Sequence, residues 1–349
     1  MLGLGTELDP YQVATAEDLN DVRNDLTAYY VQASDIDLSG YESWVPIGDA
    51  TTPFNGNYEG NLFIVTNLVA TCSSDNIGLF GYMNGAAELN NITIENCDVM
   101  GNYCVGALVG DWRGGKINNC KSSGTVTGTQ YVGGLVGYAY IASGELPIDQ
   151  CSSTAEVNAV GSSTKYLGGL IGYAQKGIAF NSCYATGDVT GIDGNTEWAG
   201  GLCGRTGAST IENCYATGKV TGWVYLGGLV GALSSASTIN DSYAAGEVDD
   251  GSFAGGLVGK KSADCNVVDS YYDLEVSGHS DDDGRGTPLT TAEMKTQSTF
   301  IDWDFINIWK ISPSQNNGYP YFGKGKFLIN CKSIVPSFIQ LSRGSVSSS

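Results

Sequence analysis

The stretch NCYATGKVTGWVYLGGLVG, residues 213–231, recurs with small changes along most of the chain. It appears as SCYATGDVTG at residues 182–191 and as SYAAGEVDDGSFAGGLVG at residues 242–259. Alignment on its cysteine position, here called the slot, gives intervals of 23, 31, 32, 31, 28 and 28 residues between Cys97, Cys120, Cys151, Cys183, Cys214, Ser242 and Ser270. Periods of about 20 to 50 residues are typical of solenoids and propellers.

Three columns of apolar residues accompany the slot in the aligned copies. Side chains alternate along a strand, so the slot and the valine six residues later share one face, which is expected to point inward. The expected columns are Ile94, Ile117, Ile148, Phe180, Ile211, Ile239 and Val267 before the slot; Val126, Val157, Val189, Val220, Val248 and Val276 after it; and Leu79, Leu108, Leu135, Leu170, Leu202, Leu229 and Leu257 in the Gly-Leu strand.

These columns predict an all-β fold: a single parallel β-helix (β-solenoid) with short helical or aromatic caps at both ends. The general bias of parallel crossovers predicts a right-handed helix. A propeller is the weaker alternative, because its blades need about 40 to 50 residues and tight hairpin turns, whose signals are missing.

Changes in pattern divide the chain into four parts. We expect an N-terminal cap with the first irregular coils at 1–76, the repeat solenoid at 77–277, a C-terminal capping segment at 278–325, and a tail or linker at 326–349.

Both ends of a solenoid expose strand edges and need covering. A capping pattern at Thr15 predicts a helix to about Thr27, with Trp44 and Phe54 filling the first coils. A second short helix is expected at 291–297. The aromatic residues expected to fill the C-terminal cap are Phe300, Trp303, Phe305, Trp309, Tyr319 and Tyr321.

The cysteines of the slot, Cys97, Cys120, Cys151, Cys183 and Cys214, are expected to form a buried structural ladder. Serine also fills the slot, which indicates a need for a small inward side chain, and free buried cysteine behaves as a small apolar residue. One or more disulfides remain the alternative, although stacked Cβ vectors run parallel and do not point toward each other. The other cysteines form no CxxC pair that would indicate a zinc or iron–sulfur site.

The charge balance limits the partners of the chain. Its 17 Lys and Arg against 37 Asp and Glu give a formal charge of -20, which disfavours nucleic acid and anionic lipid surfaces. No apolar run is long enough to span a membrane, and the first residues contain no signal peptide. The protein is expected outside the cell or at its surface, either after removal of a signal peptide or because it is made without one.

Few residues indicate chemistry, and no cofactor is expected. His279 lies in a loop among aspartates with no sign of a nucleophile beside it. Glu247 and Glu275 are expected to stack about 5 Å apart, near the carboxylate separation of retaining glycosidases, but nothing marks a cleft around them. Weak calcium binding remains open at Asp281, Asp282 and Asp283, although their spacing does not match an EF-hand loop.

The most function-like feature is the tyrosine column, defined as Tyr184, Tyr215, Tyr243 and Tyr271. Aromatic rings one rung apart could form a flat stripe that contacts a sugar or another protein. The alternative is an intramolecular ladder covered by loops or by the C-terminal segment.

The Gly-Leu-x-Gly signature after a small-x-Val-Thr-Gly strand resembles the GLUG repeat of bacterial and archaeal surface proteins, filamentous adhesins and the non-catalytic part of some IgA-cleaving peptidases. Segments 5–41 and 287–322 are similar to those that flank such arrays. The chain departs from the pattern at Ala107, which replaces the second glycine, and in its unmatched tail. The zinc-binding HExxH motif of the peptidases is absent from this sequence.

The resemblance and the repeat predict a non-enzymatic extracellular β-helix that acts as an adhesin module, stalk or filament subunit. Its expected partners are a host or neighbouring-cell glycan or protein, or copies of itself in a fibre. The alternative is a carbohydrate-binding or carbohydrate-cleaving β-helix such as a phage spike. An ice-binding solenoid needs arrays of Thr-x-Thr, and only residues 125–127 match.

Overall fold

The structure is a computed structural model that describes residues 1–161, 164–192, 194–280 and 283–323. The chain winds through about eight turns of a β-solenoid. Regular turns pass in order through four parallel sheets, which we call sheets 1 to 4. The all-β solenoid predicted from the repeat is confirmed.

Sheets 1 and 2 contain most of the strands. The ten strands of sheet 1 are Tyr11–Val13, Tyr29–Gln32, Asn57–Glu59, Glu88–Asn90, Lys116–Asn118, Leu146–Asp149, Ile178–Asn181, Thr210–Glu212, Thr238–Asn240 and Asn266–Val268. The fourteen of sheet 2 are Ile36–Asp37, Ile64–Thr66, Val69–Thr71, Thr93–Met100, Lys121–Gly128, Ser152–Ser153, Glu156–Ala159, Tyr184–Ala185, Val189–Thr190, Tyr215–Ala216, Val220–Thr221, Tyr243–Ala244, Tyr271–Asp273 and Thr287–Leu289.

Sheets 3 and 4 contain the Gly-Leu part of each repeat. The six strands of sheet 3 are Tyr103–Gly106, Gln130–Gly133, Lys165–Gly168, Trp198–Gly200, Tyr225–Gly227 and Phe253–Gly255. The seven of sheet 4 are Phe80–Met83, Val109–Trp112, Val136–Tyr140, Ile171–Lys176, Cys203–Gly207, Val230–Ser234 and Val258–Lys261.

A residue in the left-handed region forms the corner between sheets 1 and 2. Its φ lies between 43° and 56° in seven successive turns, at Asn91, Asn119, Gln150, Ser182, Asn213, Asp241 and Asp269. Asn and Asp tolerate this region better than most residues, because their side chains can hydrogen-bond locally. The slot residue follows this corner directly.

The slot side chain satisfies the backbone at this corner. Sγ of Cys214 accepts a hydrogen bond from the N–H of Cys183 at 3.4 Å, and Oγ of Ser242 accepts one from the N–H of Cys214 at 3.0 Å. In the other direction, Sγ of Cys214 donates to the carbonyl of Glu212 at 3.1 Å. Cysteine and serine therefore interchange because the slot needs an acceptor as well as a small volume.

The assignment of Cys97 to this column was wrong. Gly124 lies opposite Cys97, and the N–H of Lys121 bonds to the carbonyl of Ile92. Ile92 is therefore the slot residue of its turn, and the first interval is 120 − 92 = 28 residues. The cause is a strand of eight residues, Thr93–Met100, which places Cys97 farther along sheet 2. Isoleucine provides no acceptor, so the requirement for a small accepting side chain holds for the later turns, at Cys151, Cys214, Ser242 and Ser270.

The other two columns of that turn are corrected by the same shift. Leu89, and not Ile94, pairs with Ile117, and Val99 pairs with Val126. Apart from the half-buried Val267 and the exposed Val276, the aliphatic columns otherwise lie in the core, and every leucine of the Gly-Leu column is fully buried.

Close contact between turns explains the second glycine of the motif. A Cβ on Gly201 would lie 2.1 Å from the carbonyl oxygen of Gly228 and 2.8 Å from Cβ of Ala216. A Cβ on Gly169 would likewise lie 2.1 Å from the carbonyl oxygen of Gly201 and 2.8 Å from Cβ of Ala185. The small residue of the Tyr-Ala strand and this glycine therefore pack together across the interior.

The N-terminal cap contains helix α1, Ala16–Asp21, and a 3-10 turn, Val22–Asn24. Oγ1 of Thr15 accepts the N–H of Asp18 at 3.1 Å, as the capping pattern predicts, but the α-helix ends earlier than expected. Trp44 and Phe54 are both buried in the core.

The last turn leaves the repeat pattern at Asp273. Oδ1 of Asp273 accepts the N–H groups of Glu275 and Val276 at 3.0 Å each and begins helix α2, Leu274–Ser277. Val276 is exposed, so its predicted place in the inward column is wrong. Glu275 lies in this helix and bonds to the N–H of Thr291. The N–H of Val248 bonds to the carbonyl of Ser277 and not to that of Glu275, so the predicted stack of Glu275 on Glu247 is absent.

The segment 291–323, which we call the C-terminal strap, follows the last strand of sheet 2. It contains helix α3, Thr291–Met294, two 3-10 turns, Gln297–Thr299 and Asn316–Gly318, and an antiparallel pair, Trp309–Lys310 with Tyr321–Phe322. Thr290 and Glu293 form a full capping box at the start of α3.

Replacement of Cys214 tests the slot as a hydrogen-bond acceptor. Cys214→Ser should change the free energy of unfolding by less than about 1 kcal/mol, since serine fills the same position in the next turn. Cys214→Ala should lower it by about 1–3 kcal/mol, because the N–H of Cys183 loses its partner. Urea unfolding followed by far-UV circular dichroism measures both. Equal losses in the two variants would show that only volume matters.

Candidate functional site

The predicted ligand surface, the tyrosine column, is covered by the strap. The rings of Tyr184 and Tyr215 stack at 4.8 Å and those of Tyr215 and Tyr243 at 5.1 Å, so three of the four predicted rings form a ladder, whereas the ring of Tyr271 packs against Phe300 and Trp303. However, Tyr243 is fully buried, and only Tyr184 at one end is half-buried. The side chains packed on the column include Met294, Phe300, Trp303, Trp309 and Tyr319.

Polar contacts attach the strap to the solenoid at several turns. The hydroxyl of Tyr243 donates to the carbonyl of Pro320 at 2.6 Å, and Nε1 of Trp309 donates to Oδ1 of Asn213 at 3.2 Å. The hydroxyl of Tyr319 donates to Oδ2 of the buried Asp273 at 2.8 Å. The interpretation of the column as an exposed ligand surface is therefore wrong, and the alternative, a ladder covered by the C-terminal segment, is confirmed. The strap lies along the side of the solenoid and does not only close its end.

Asp241 lies where the strap passes the corner column. Burial, together with the neighbouring carboxylates of Asp269, Glu212 and Asp302, raises its pKa to about 6. Asp302 belongs to the strap, and the others belong to the solenoid. Ionisation of Asp241 therefore opposes the docking of the strap.

Asp241→Asn should stabilise the protein in a pH-dependent way. Because the folded pKa is above the unfolded value, the protonated form stabilises the fold at low pH, and this contribution is lost as pH rises through about 6. The variant should match the parent near pH 4 and exceed its unfolding free energy above pH 7 by about 1 kcal/mol, after allowance for solvent screening.

Chemical denaturation at several pH values measures this difference. Asp304→Asn is the control of opposite sign, because hydrogen bonds from Asn307 and Ile306 lower the pKa of Asp304. A difference between Asp241→Asn and the parent that stays constant from pH 4 to 8 would contradict the assignment.

A second set of aromatic side chains forms a ladder on sheet 3 that the strap does not cover. We call Tyr131, Tyr166, Trp198, Tyr225 and Phe253 the aromatic ladder. Their ring centroids are 5.1, 4.6, 5.6 and 5.2 Å apart in succession, with interplanar angles of 4° to 23°. The first four are half-buried, and Phe253 is 54% exposed.

The sequence contains a clear signal for this ladder that our sequence analysis missed. In five successive copies an aromatic residue stands four positions before the leucine of the Gly-Leu strand, as in Tyr225 and Leu229. The strand register confirms the stack, since Trp198 pairs with Tyr225 and Tyr225 with Phe253. The turn before Tyr131 has Cys104 in this register position.

Cationic side chains lie beside the ladder on sheet 4. The guanidinium carbon of Arg205 is 5.7 Å from the ring centre of Trp198, and Nζ of Lys260 is 4.7 Å from that of Tyr225. Both belong to one outward column of sheet 4, in which Ala232 lies between them. A cavity of about 120 Å³ opens here, lined by Trp198, Arg205, Tyr225, Ala232, Leu233, Ser234, Lys260 and Ser262.

The nine cysteines among the described residues are free thiols, and all but Cys72 are buried. Burial raises the pKa of Cys203 to about 12 and the pKa values of Cys151 and Cys214 well above their usual range. Such thiols are poor nucleophiles at neutral pH, because the thiolate is the reactive form. Cys151 and Cys214 are therefore placed to support the backbone and not to react.

The remaining candidate residues from the sequence, His279 and the aspartates at 281–283, do not form a common site among the described residues. Nε2 of His279 lies 3.1 Å from the carbonyl oxygen of Val248, at the edge of the last turn. Asp281 and Asp282 lie outside the described residues, and the exposed Asp283 pairs with Arg285 at 3.6 Å. Within the described part of the chain, no group of three or more His, Cys, Asp or Glu side chains could hold a metal ion.

Comparison with known families identifies the repeat. The model of the GLUG motif matches residues 101–127 and 199–221. These regions contain Gly-Leu strands that lie in register within sheets 3 and 4. The chain thus contains the GLUG motif in these two regions, within a β-solenoid fold.

Two curated relatives share part of the chain. Halomucin of Haloquadratum walsbyi is 35% identical over 150 residues, which are 39% of this chain and 2% of that protein. The "Putative Gly-rich membrane protein" of Evansella cellulosilytica is 36% identical over 124 residues, 31% of this chain and 14% of that protein. The chain thus spans a small fraction of the length of these relatives. Among the described residues, no helix has the length and apolar character needed to cross a membrane.

Two solved structures share the fold. A crystal structure from Bacteroides ovatus, described as a "putative immunoglobulin A1 protease", superimposes with a TM-score of 0.66 at 22% identity, covering 92% of this chain and 94% of that one. A structure named "IgA1 Protease" gives a TM-score of 0.51 at 16% identity over 79% of this chain and 21% of that one. At these identities the likeness concerns the fold alone.

Proposed function

We propose that this chain is a non-enzymatic adhesive module of an extracellular or cell-surface protein, and that its uncovered aromatic ladder contacts the partner. The single observation that carries the proposal is the contrast between the two aromatic columns. The tyrosine column is buried under the strap, whereas the ladder on sheet 3 has no such cover among the described residues.

The solenoid suits this role because it holds the ladder rigidly. About eight turns at about 4.8 Å per turn give a stack roughly 40 Å long, in which each rung is hydrogen-bonded to its neighbours. Side chains on such strands lose little further freedom when a partner binds, which favours affinity. The names of the curated relatives, halomucin and a Gly-rich membrane protein, also agree with a place at the cell surface.

Glu247 and Glu275, the two carboxylates considered for glycan cleavage, form contacts with other groups. Glu247 forms an ion pair with Lys219 at 2.9 Å, and Glu275 accepts a hydrogen bond from the N–H of Thr291. These contacts favour binding without turnover.

Beads coated with the protein and applied to a glycan and protein array test the adhesive role. Trp198→Ser combined with Tyr225→Ser should reduce retention at least tenfold, because two adjacent rungs of the ladder are removed. Tyr184→Ser, at the half-buried end of the tyrosine column, is the matched control, and beads coated with this variant should be retained as well as beads coated with the parent protein.

Two further readouts on the same samples separate the alternatives. Release of reducing sugar from a bound glycan would favour the carbohydrate-cleaving β-helix. Sedimentation of the pure protein as long polymers, with filaments in negative-stain images, would favour a fibre subunit. Equal retention of the parent and the ladder variant would contradict the proposal.

A further inference from the structure

The cations beside the aromatic ladder stand out in a protein with a formal charge of -20. Lys165 pairs with Glu197 at 3.2 Å, but within the described residues no carboxylate lies within ion-pair distance of Arg205 or Lys260. Instead, these two side chains lie over aromatic rings. Their charges are therefore held in place by the rings and remain available to an anion.

The arrangement of the two cations leaves space for a ligand between them. Arg205, Ala232 and Lys260 occupy successive turns of one outward column, so the cations are about 10 Å apart along the axis at the strand spacing. Ala232 has no side chain long enough to fill the gap, and the cavity of about 120 Å³ opens at this point. At about 30 Å³ per molecule, that is the volume of roughly four waters, enough for a carboxylate or sulfate group.

The geometry of the ladder also favours an anion. Tyr166 and Trp198 stack at 4.6 Å with an interplanar angle of 4°, so their faces are turned toward each other. Neighbouring rings and the adjoining Arg205 and Lys260 cover the ring faces, so the parts left for a partner are ring edges, which carry the positive end of the aromatic quadrupole. Only the last ring, Phe253, has no further ladder ring above it.

We propose that sheets 3 and 4 form a binding site for an acidic polysaccharide, whose chain follows the ladder and whose carboxylate or sulfate groups contact Arg205 and Lys260. This inference rests on the proposed adhesive function and names the chemical class of its partner. A linear polymer with charges at regular intervals matches a row of side chains that repeats at the spacing of the turns.

A polysaccharide fits this site better than nucleic acid. A strand of duplex DNA carries one charge per about 3.4 Å, whereas Arg205 and Lys260 are about 10 Å apart within a strongly acidic molecule. A polymer with one charge per one or two sugars has the lower charge density that this surface can neutralise.

Biolayer interferometry in 150 mM sodium chloride tests the site with five probes: polygalacturonate, heparin, dextran, single-stranded DNA and poly-glutamate. The first two should bind, and dextran should not. Arg205→Met combined with Lys260→Met should weaken binding at least tenfold, because methionine keeps an apolar stem and removes the charge. Lys121→Met, an exposed lysine on sheet 2, is the control and should change binding less than twofold.

Several results would overturn the inference. These are stronger binding to dextran, DNA or poly-glutamate than to both acidic polysaccharides, or full binding by the double variant with an unchanged melting temperature. If beads still depend on Trp198 and Tyr225 while neither acidic polysaccharide binds, the adhesive function stands and this inference fails. If acidic polysaccharides bind but are cleaved, the non-enzymatic role fails while the site stands.

Discussion

The structure depends on the stacking of each turn directly on the preceding one, with equivalent residues paired. Each position must therefore tolerate a copy of its own kind about 4.8 Å away. At the slot, a small side chain accepts a hydrogen bond from the backbone of the neighbouring turn, as Cys214 does from Cys183. At the second glycine, a Cβ on Gly201 would meet the carbonyl oxygen of Gly228. The motif therefore consists of residues that can be stacked on equivalent residues of the next turn without a steric collision and without leaving a polar group unsatisfied.

The same constraint explains which parts of the structure could be predicted from the sequence. The solenoid, its aliphatic columns and the stacking of Tyr184 on Tyr215 follow from periodicity, because residues in a column must resemble each other. Cys97 was assigned wrongly because Asn96-Cys97 shares both its residue types and its left-handed φ with Asn119-Cys120, yet it lies inside the strand Thr93–Met100. The pair Asn91-Ile92 directly follows the sheet 1 strand Glu88–Asn90 and therefore stands at the corner that defines the turn.

Other features depend on contacts between distant segments, which no repeat pattern contains. Trp309 bonds to Asn213 across 96 residues, so the covered face is decided by how the strap packs and not by the column itself. The departure at Val276 likewise follows from the buried Asp273, which starts a helix where the pattern predicts a strand. The aromatic ladder could have been found, because its residues keep a constant distance from the Gly-Leu leucine.

The two aromatic columns show how one architecture separates structural and exposed roles. On sheet 2, Tyr243 contributes to a second apolar cluster together with the strap. On sheet 3, Tyr225 lies beside Lys260 at the surface. Stacked rings occur in both places, so stacking alone does not reveal function. The two columns differ in whether the strap covers them and in whether charged side chains lie beside them.

The turns differ in length, from 28 to 32 residues between successive slots, yet the strands stay in register. In one turn, five residues separate Tyr140 from the next strand at Leu146, whereas in the following turn a single residue separates Lys176 from Ile178. The additional residues of the longer turns lie between strands, where they do not have to pair with residues of a neighbouring turn. Such positions are natural sites for grafting foreign peptides, so this solenoid could display inserted epitopes at defined heights along its axis.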